Sequence, residues 1–216
     1  MKFSKIPIKY EELPMGHKFD PQKIEKLEDS KRLKIFDPES LFRKFQLNNL
    51  KYILDFGVGS GFYLPYLSKI LSPNGKIYAL DIQKELLDYA KDKCKKLNLT
   101  EKVDFLLVKE KDPLPFAENF FDFIYLAFTL HELEDPIFTL QEIKRVLREG
   151  GKLLIIDWNK EQRDMGPPPS EVFSYEEIEN FLKSLDFKIL EAQKNHPYMY
   201  IFFTEKGSLK LSEEVK

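Results

Sequence analysis

The sequence contains a single cysteine, Cys94, among its 216 residues. One cysteine excludes an internal disulfide and any multi-cysteine zinc or redox cluster, and it fits a protein of the reducing cytoplasm. An excess of charge is also missing, since 34 Lys and Arg against 36 Asp and Glu give a formal net charge of −2. We therefore expect no global electrostatic attraction to nucleic acid or to an anionic membrane.

Long apolar runs are absent as well. The longest, residues 120–130, is interrupted by Asp122 and is too short to span a bilayer. Residues 1–5 lack the apolar run of a signal peptide. With 43% hydrophobic and 14% aromatic residues, the chain can nevertheless bury a sizeable core. Its length predicts one domain with appendages.

The most informative stretch is residues 52–61, Tyr-Ile-Leu-Asp-Phe-Gly-Val-Gly-Ser-Gly. It predicts a short apolar strand, an acid at Asp55, and a turn with Gly57, Gly59 and Gly61 before a helix. Glycine at this density lets the backbone turn sharply, adopt positive φ and approach a ligand closely. The carboxyl end of the first strand of a parallel sheet is where open α/β sheets bind small molecules.

Several interpretations compete for this turn. A phosphate-binding loop needs Gly-Lys-Ser/Thr at the helix start, whereas Phe62 and Tyr63 follow Gly61, which argues against a triphosphate. The dinucleotide pattern GxGxxG would place its third glycine at position 62. Asp55 is a further discriminator, because a carboxylate repels phosphate and suits a cation. A tight strand–helix turn with no ligand is the remaining alternative.

Alternating strands and helices predict a parallel, right-handed, doubly wound α/β sheet. Asp20-Pro21 and Asp37-Pro38 are typical helix starts, and Ser174 with Glu177 predicts a capping box. The predicted helices are about 21–33, 38–47, 62–71, 83–97, 136–149 and 174–185. Predicted strands after the first are 76–82, 103–108, 121–128, 152–158, 187–192 and 198–204.

The last two predicted strands differ from the others. Only a short connection around residues 195–197 separates them, so they must be antiparallel neighbours. We expect residues 1–48 to form an N-terminal helical extension or cap, with simple packing on the sheet edge as the alternative. Residues 49–205 would form the Rossmann-like domain and residues 206–216 a loose tail.

The Asp55-x-Gly57-x-Gly59-x-Gly61 pattern resembles motif I of class I S-adenosylmethionine-dependent methyltransferases. Three further segments resemble the ubiquinone/menaquinone-biosynthesis (type 11) branch: residues 114–122, 130–136 and 142–153. The resemblance runs from about residue 53 to residue 158. It implies a seven-stranded, mostly parallel sheet of order 3-2-1-4-5-7-6, with helices on both faces and an antiparallel last strand.

The resemblance also implies a site for S-adenosylmethionine, which carries an ammonium and a sulfonium but no phosphate. Asp81 would accept the ribose hydroxyls, although it could equally serve NAD or cap a helix. Glu110 and Lys111 stand where the family usually has Asp-Ala beside the adenine, and an exposed charged turn is the alternative. The predicted cofactor-binding residues are Asp55, Phe56, Gly57, Gly59, Gly61, Asp81, Ile82, Glu110, Lys111 and Ala127.

No catalytic side chain stands out, and none is obligatory, because methyl transfer is a direct displacement. His131 is a candidate general base; the alternative is that it anchors its loop by hydrogen bonding. His131-Glu132 begins like a zinc motif, but Asp135 stands where the second histidine is needed. No metal site is predicted.

The leading hypothesis is a methyltransferase acting on a small or apolar acceptor, with the N-terminal segment and residues 166–170 as the acceptor lid. Residues 125–128 lack the Asp/Asn-Pro-Pro-Tyr used on nucleic-acid bases, which argues against base methylation. One alternative is a catalytically silent cofactor-binding subunit that acts through a protein partner. Another is an NAD-dependent oxidoreductase, which the GxGxG spacing disfavours.

Overall fold

Seven strands form one sheet in the computed structural model, which describes residues 17–194 and 196–207. The strand order is 3-2-1-4-5-7-6, and the last strand runs antiparallel to both of its neighbours while the other pairs are parallel. The predicted fold class and strand order are therefore confirmed. The strands are β1 (Leu50–Phe56), β2 (Leu71–Asp81), β3 (Val103–Leu107), β4 (Phe121–Ala127), β5 (Leu147–Trp158), β6 (Phe187–Gln193) and β7 (Met199–Lys206).

The helices flank this sheet. In the described ranges they are α1 (Arg32–Ile35), α2 (Pro38–Lys44), α3 (Leu64–Leu67), α4 (Lys84–Lys96), α5 (Pro136–Val146) and α6 (Tyr175–Ser184). Helix α6 begins with the predicted capping box, in which Ser174 accepts from the Glu177 N–H and the Glu177 carboxylate accepts from the Ser174 N–H. This reciprocal pair satisfies two N–H groups that the helix itself leaves without partners.

The helices predicted over 38–47 and 136–149 end three residues early, at Lys44 and Val146, and two others are much shorter than expected. The helix predicted over 21–33 is divided into a 3₁₀ helix, Pro21–Lys26, and the single turn α1, although Asp20 does cap the first of them by accepting from Gln22 N. The helix predicted over 62–71 is reduced to α3. Its chain leaves the helix early because Ile70 O accepts from Leu50 N and so already belongs to the sheet.

Strands β2 and β5 begin earlier than predicted, at Leu71 and Leu147 instead of residues 76 and 152. Pairing of β1 with β2 skips residues 72–75, and pairing of β4 with β5 skips residues 148–151. In each strand the first residue, Leu71 or Leu147, is paired, and the skipped segment bulges out of the sheet. Regular pairing resumes at Lys76 and Lys152, where the predicted strands begin.

The core covers both faces of the central strands, as expected for a parallel sheet between helical layers. Ile53 and Leu54 are neighbours in β1 that point to opposite faces, and both are fully buried. Part of the predicted extension belongs to this core, because five of its residues share a buried apolar cluster with β1 and β4: Ile35, Phe36, Leu41, Phe42 and Leu47.

Some expectations fall on residues that the structure does not describe. Residues 1–16 of the predicted N-terminal extension and residues 208–216 of the predicted tail lie outside the described residues. Lys206, the first residue of the predicted tail, is the last residue of β7. Within residues 17–194 and 196–207, no helix has both the length and the apolar character needed to cross a membrane.

Candidate active site

A cavity of about 1100 Å³ opens at the carboxyl ends of the parallel strands β1 to β5. Its walls are the loops that follow these strands, together with part of the chain that precedes α2. Nine of the ten predicted cofactor-binding residues line it, as does His131; Gly61 does not. The parallel arrangement explains this convergence, because strands that run the same way present their carboxyl ends at one edge of the sheet.

The turn after β1, residues 57–61 (the glycine loop), requires glycine for two different reasons. Gly57 has φ +75°, and a Cβ there would lie 2.4 Å from the Thr129 side chain. Gly61 has φ +73°, and its Cβ would lie 3.0 Å from Leu64 and 3.1 Å from Ala90. Gly57 therefore lets the glycine loop pack directly against Thr129, whereas Gly61 lets it pack closely against α3 and α4.

Asp81 ends β2 and fastens the glycine loop to the start of α4. Its Oδ2 accepts from Gly59 N at 2.9 Å, and its Oδ1 accepts from Gln83 N at 3.0 Å. Burial raises the pKa of Asp81, while these two hydrogen bonds and one from Ile82 N oppose the rise. The carboxylate still lines the cavity, so its structural contacts and a ligand contact are compatible.

Asp55 is a buried acid that has no hydrogen-bond donor among residues 17–194 and 196–207. Its exposure is 3%. Burial, with a smaller contribution from the charge of Asp81, raises the pKa of Asp55 to about 8. A buried carboxylate without a donor is costly, and a cationic ligand group at this position would remove that cost.

Ile82, Glu110 and Lys111 line the part of the cavity beyond Asp81. The Glu110 carboxylate accepts from Glu134 N at 2.7 Å and forms an ion pair with Lys18 Nζ at 2.6 Å. Lys111 has a positive φ of 67° and pairs with the Glu134 carboxylate at 2.5 Å. The two charged residues are thus held in a network, and Lys18 is a member that sequence analysis missed.

His131 lies in the loop after β4 and is bound to the end of β5. Its backbone N–H donates to Asp157 Oδ2 at 2.9 Å, and its Nδ1 lies 2.7 Å from Asp157 Oδ1. Burial lowers the pKa of His131, but the charge and hydrogen bond of Asp157 and the charge of Glu132 outweigh burial, so the pKa is raised. His131 therefore anchors its loop and also borders the cavity.

Residues 17–36 (the N-terminal segment) run across the mouth of the cavity. Phe19 N donates to Glu132 Oε2 at 3.1 Å, and Gln83 Nε2 donates to Phe19 O at 2.9 Å. Leu27 packs against the glycine loop. Burial raises the pKa of Glu132 to about 7. These contacts join the segment to the loops after β2 and β4.

Aromatic side chains form another wall. The rings of Phe128 and Trp158 lie 4.6 Å apart, and the Arg163 guanidinium lies 5.4 Å from the Trp158 ring. Gly166, at φ +82°, lies so close that a Cβ would be 2.8 Å from the Trp158 ring, and Arg163 donates to Pro167 O at 2.5 Å. The loop through Gly166 is therefore held against this aromatic wall. Met165, Pro167 and Tyr198 line the cavity as well.

Fold and site together define a class I S-adenosylmethionine-dependent methyltransferase. The sheet has the 3-2-1-4-5-7-6 order with a reversed β7, and the glycine loop follows β1 beside the buried acid Asp55. The residues fit the cofactor, since Asp55 suits its ammonium and Asp81 its ribose hydroxyls. A pyrophosphate would place negative charge beside the buried acid Asp55, and the repulsion between the two would oppose its binding.

Known proteins agree with this class. The family Methyltransf_11, described as a methyltransferase domain, matches residues 54–155. The crystal structure of a SAM-dependent methyltransferase from Aquifex aeolicus is 43% identical in sequence, with a TM-score of 0.82, over 88% of this chain and 100% of that chain. The chain therefore belongs to the S-adenosylmethionine-dependent methyltransferases.

Curated relatives are named ubiquinone/menaquinone biosynthesis C-methyltransferase. The one from Haemophilus ducreyi is 26% identical over 147 residues, which is 68% of this chain and 55% of that protein. The one from Vibrio cholerae is 32% identical over 108 residues, or 50% of this chain and 41% of that protein. The resemblance to this branch is confirmed, and the chain spans about half the length of these relatives.

Proposed function

We propose that this protein transfers the methyl group of S-adenosylmethionine to a small, apolar acceptor bound beside Phe128 and Trp158. One observation carries the proposal: a single cavity joins the glycine loop to an aromatic wall. Its volume of about 1100 Å³ is just above the range of pockets that hold a single drug-sized ligand, roughly 300–1,000 Å³. Two molecules side by side, donor and acceptor, are consistent with this size.

The residues that would hold the donor follow from the geometry. Asp55 would pair with the ammonium, and Asp81 would accept ribose hydroxyls while keeping its bond to Gly59. Ile82, 38% exposed, would pack against the adenine. Glu110 would accept from the adenine amino group, and its ion pair with Lys18 fixes where its carboxylate lies.

The bound cofactor supplies an electrophilic methyl group, so the protein has to position the acceptor and exclude water. The wall of Phe128 and Trp158 offers apolar surface for this purpose. His131, oriented by Asp157, is the candidate to take up an acceptor proton, and Glu132 lies 3.8 Å from its Nε2. We infer that His131 acts as a base only for acceptors that must lose a proton during methylation.

The acceptor class is the finer part of the proposal. Because the curated relatives are named as quinone-biosynthesis C-methyltransferases, dihydroxy-aromatic compounds are the first acceptors to test. A planar ring with few charges suits the wall of Phe128, Trp158 and Met165.

Binding of the cofactor is tested by calorimetry with S-adenosylhomocysteine and, separately, with NADH. We expect the first compound to bind and the second not to bind. The Asp81→Ala variant should bind S-adenosylhomocysteine at least about tenfold more weakly, because a charged hydrogen-bonding partner contributes roughly 1.5–3 kcal/mol. Absence of binding to the unmodified protein up to millimolar concentration would refute the proposal.

Turnover requires a second experiment. The protein is incubated with isotopically labelled donor and either a panel of dihydroxy-aromatic compounds or a cell extract, and labelled products are identified by mass spectrometry. A labelled small molecule that disappears with Asp81→Ala supports the proposal. Cofactor binding with no labelled product in either mixture supports instead the silent, partner-dependent subunit.

A further inference from the structure

Arg32, the first residue of α1, brings a positive charge to the aromatic wall of the cavity. Its guanidinium carbon lies 5.3 Å from the ring centre of Phe128, which lies 4.6 Å from the ring centre of Trp158. The rings of Phe62 and Tyr63 flank the same guanidinium at 5.5 and 5.3 Å. Arg32 lines the cavity, so this charge borders the space proposed for the acceptor.

The hydrogen-bond donors of this guanidinium are largely unused within the described chain. Among residues 17–194 and 196–207 no carboxylate lies within 4 Å of it, whereas the neighbouring Lys31 pairs with Asp29. Its contacts with the Tyr63 hydroxyl oxygen are long, 3.4 Å from Nε and 3.3 Å from Nη2. Aromatic faces attract a guanidinium but make little use of its planar fork of N–H donors. That fork binds a carboxylate through two parallel hydrogen bonds.

The part of the N-terminal segment that lines the cavity carries an excess of positive charge. Six of its lining residues are Lys or Arg and two are Asp. Both Asp side chains already pair with lysines of the segment. Lys26, Arg32 and Lys34 have no carboxylate within 4 Å in the ranges that the structure describes. An anionic molecule that enters past this segment would therefore be attracted by these charges.

We propose that the acceptor is an aromatic acid, whose ring lies against Phe128 and Trp158 and whose carboxylate is bound by Arg32. This inference rests on the proposed function, since it names the chemical class of the molecule that shares the cavity with the donor. The ion pair would hold the carboxylate at the N-terminal segment and so orient the ring along the wall. Arg32 lies outside residues 54–155, the part that the family matches, so this specificity would belong to the N-terminal segment.

A basic acceptor is the competing class, because Asp164 in the loop after β5 also lines the cavity. Asp164 is exposed, however, so water already solvates its charge, whereas Arg32 is half-buried among rings. A charge removed from water has the greater need of a partner. The acid is therefore the class that this cavity favours.

Trp158 is the single tryptophan of the chain, so its fluorescence reports directly on the proposed site. The full chain, saturated with S-adenosylhomocysteine, is titrated with hydroxylated benzoic and naphthoic acids and, in parallel, with the primary amide of each acid. Quenching of Trp158, checked by calorimetry, gives the two dissociation constants. We expect at least one acid to bind about 10- to 100-fold more tightly than its amide, as for a hydrogen-bonded pair of charges.

Arg32→Met should remove this preference, so that acid and amide bind within about twofold of each other, and should leave the affinity for S-adenosylhomocysteine unchanged. Arg32→Lys keeps the charge without the fork and should retain part of the preference. It also serves as the test variant if Arg32→Met does not fold. Arg43→Met is the matched control, because the Arg43 side chain on α2 is 70% accessible and pairs with Glu39 outside the cavity. This control should keep the full preference.

If no acid binds more tightly than its amide while S-adenosylhomocysteine binds, the inference is overturned and the proposed function stands. A preference for acids that survives Arg32→Met would also overturn it, since another group would then bind the carboxylate. So would a loss of affinity for S-adenosylhomocysteine in Arg32→Met, because Arg32 would then serve the donor or the fold. If the unmodified protein does not bind S-adenosylhomocysteine, the proposed function fails as well.

Discussion

The affinity for S-adenosylhomocysteine should rise with pH between 6 and 8, because Asp55 must ionise to pair with the ligand ammonium. Burial and the charge of Asp81 raise the pKa of Asp55 to about 8 in the ligand-free protein. With that pKa, about 1% of the protein carries an ionised Asp55 at pH 6 and about half at pH 8. The affinity should therefore increase about 50-fold over this range, which corresponds to roughly 2 kcal/mol.

Calorimetry at pH 6, 7 and 8 measures this increase directly. Repeating the titration at pH 7 in two buffers of different ionisation enthalpy should reveal release of about 0.9 proton per ligand bound, since that fraction of Asp55 is still protonated. Asp55→Asn should bind more weakly at pH 8 and lose both the steep pH dependence and the proton release. Glu132 is a second acid in this cavity with a raised pKa, about 7, so Glu132→Gln serves as the control. This variant should keep most of the increase in affinity between pH 6 and 8.

A flat affinity for the unmodified protein between pH 6 and 8 would refute the reasoning. So would an Asp55→Asn variant that retains the full slope, because the titrating group would then lie elsewhere. In either case the acid before the glycine loop would not be the partner of the ammonium.

Three further predictions concern stability and the loops. Folding raises the pKa of Asp55, so the protonated form stabilises the ligand-free protein below about pH 4, and this contribution is lost as the pH rises through 8. Because Asn cannot ionise, Asp55→Asn should raise the free energy of unfolding at pH 8 by up to about 5 kcal/mol, and should raise Tm with it. At pH 4 the substitution should raise neither quantity. Gly57→Ala should cost about 1–3 kcal/mol in denaturant unfolding and weaken S-adenosylhomocysteine binding, because its Cβ meets Thr129; Gly150→Ala, with φ +70° and nothing within 4 Å, should show the backbone strain alone and leave binding intact. Ser174→Ala removes the cap of α6 and should cost about 1 kcal/mol without changing ligand affinity; a loss well above this would contradict a purely local capping role.

Helices and strands whose buried residues recur at a regular spacing along the chain could be predicted from the sequence. Helix α4 is such a case: the helical spacing of its apolar residues predicts one buried face, and Leu86, Leu87, Ala90 and Cys94 are buried, whereas Leu97 of the same predicted face lies just beyond the helix and is 45% exposed. Boundaries set by a distant partner were not predictable. The chain leaves α3 because Ile70 O accepts from Leu50 N, and no property of residues 64–71 alone specifies that bond.

The candidate site also contains residues that could be predicted from the sequence and residues that could not. Asp55 and Asp81 could be placed because each stands at the carboxyl end of a predicted strand, and the rule for open α/β sheets brings such positions together. Asp157, at the end of β5, obeys the same rule and could have been found by applying it once more. Lys18 and Arg32 could not, because each reaches the cavity only through contacts with residues far along the chain.

The position of β7 also affects how the domain can be completed during synthesis. This strand leaves the ribosome after β6, yet it occupies the place between β5 and β6. Until residue 206 has emerged, the Lys152–Trp158 edge of β5 has no hydrogen-bonding neighbour, although its Leu153–Ile156 stretch is fully buried in the finished sheet. An open apolar edge of this length is a template for association with other nascent chains. Delivery of β6 and β7 as a preformed hairpin would shorten the time that this edge stays open.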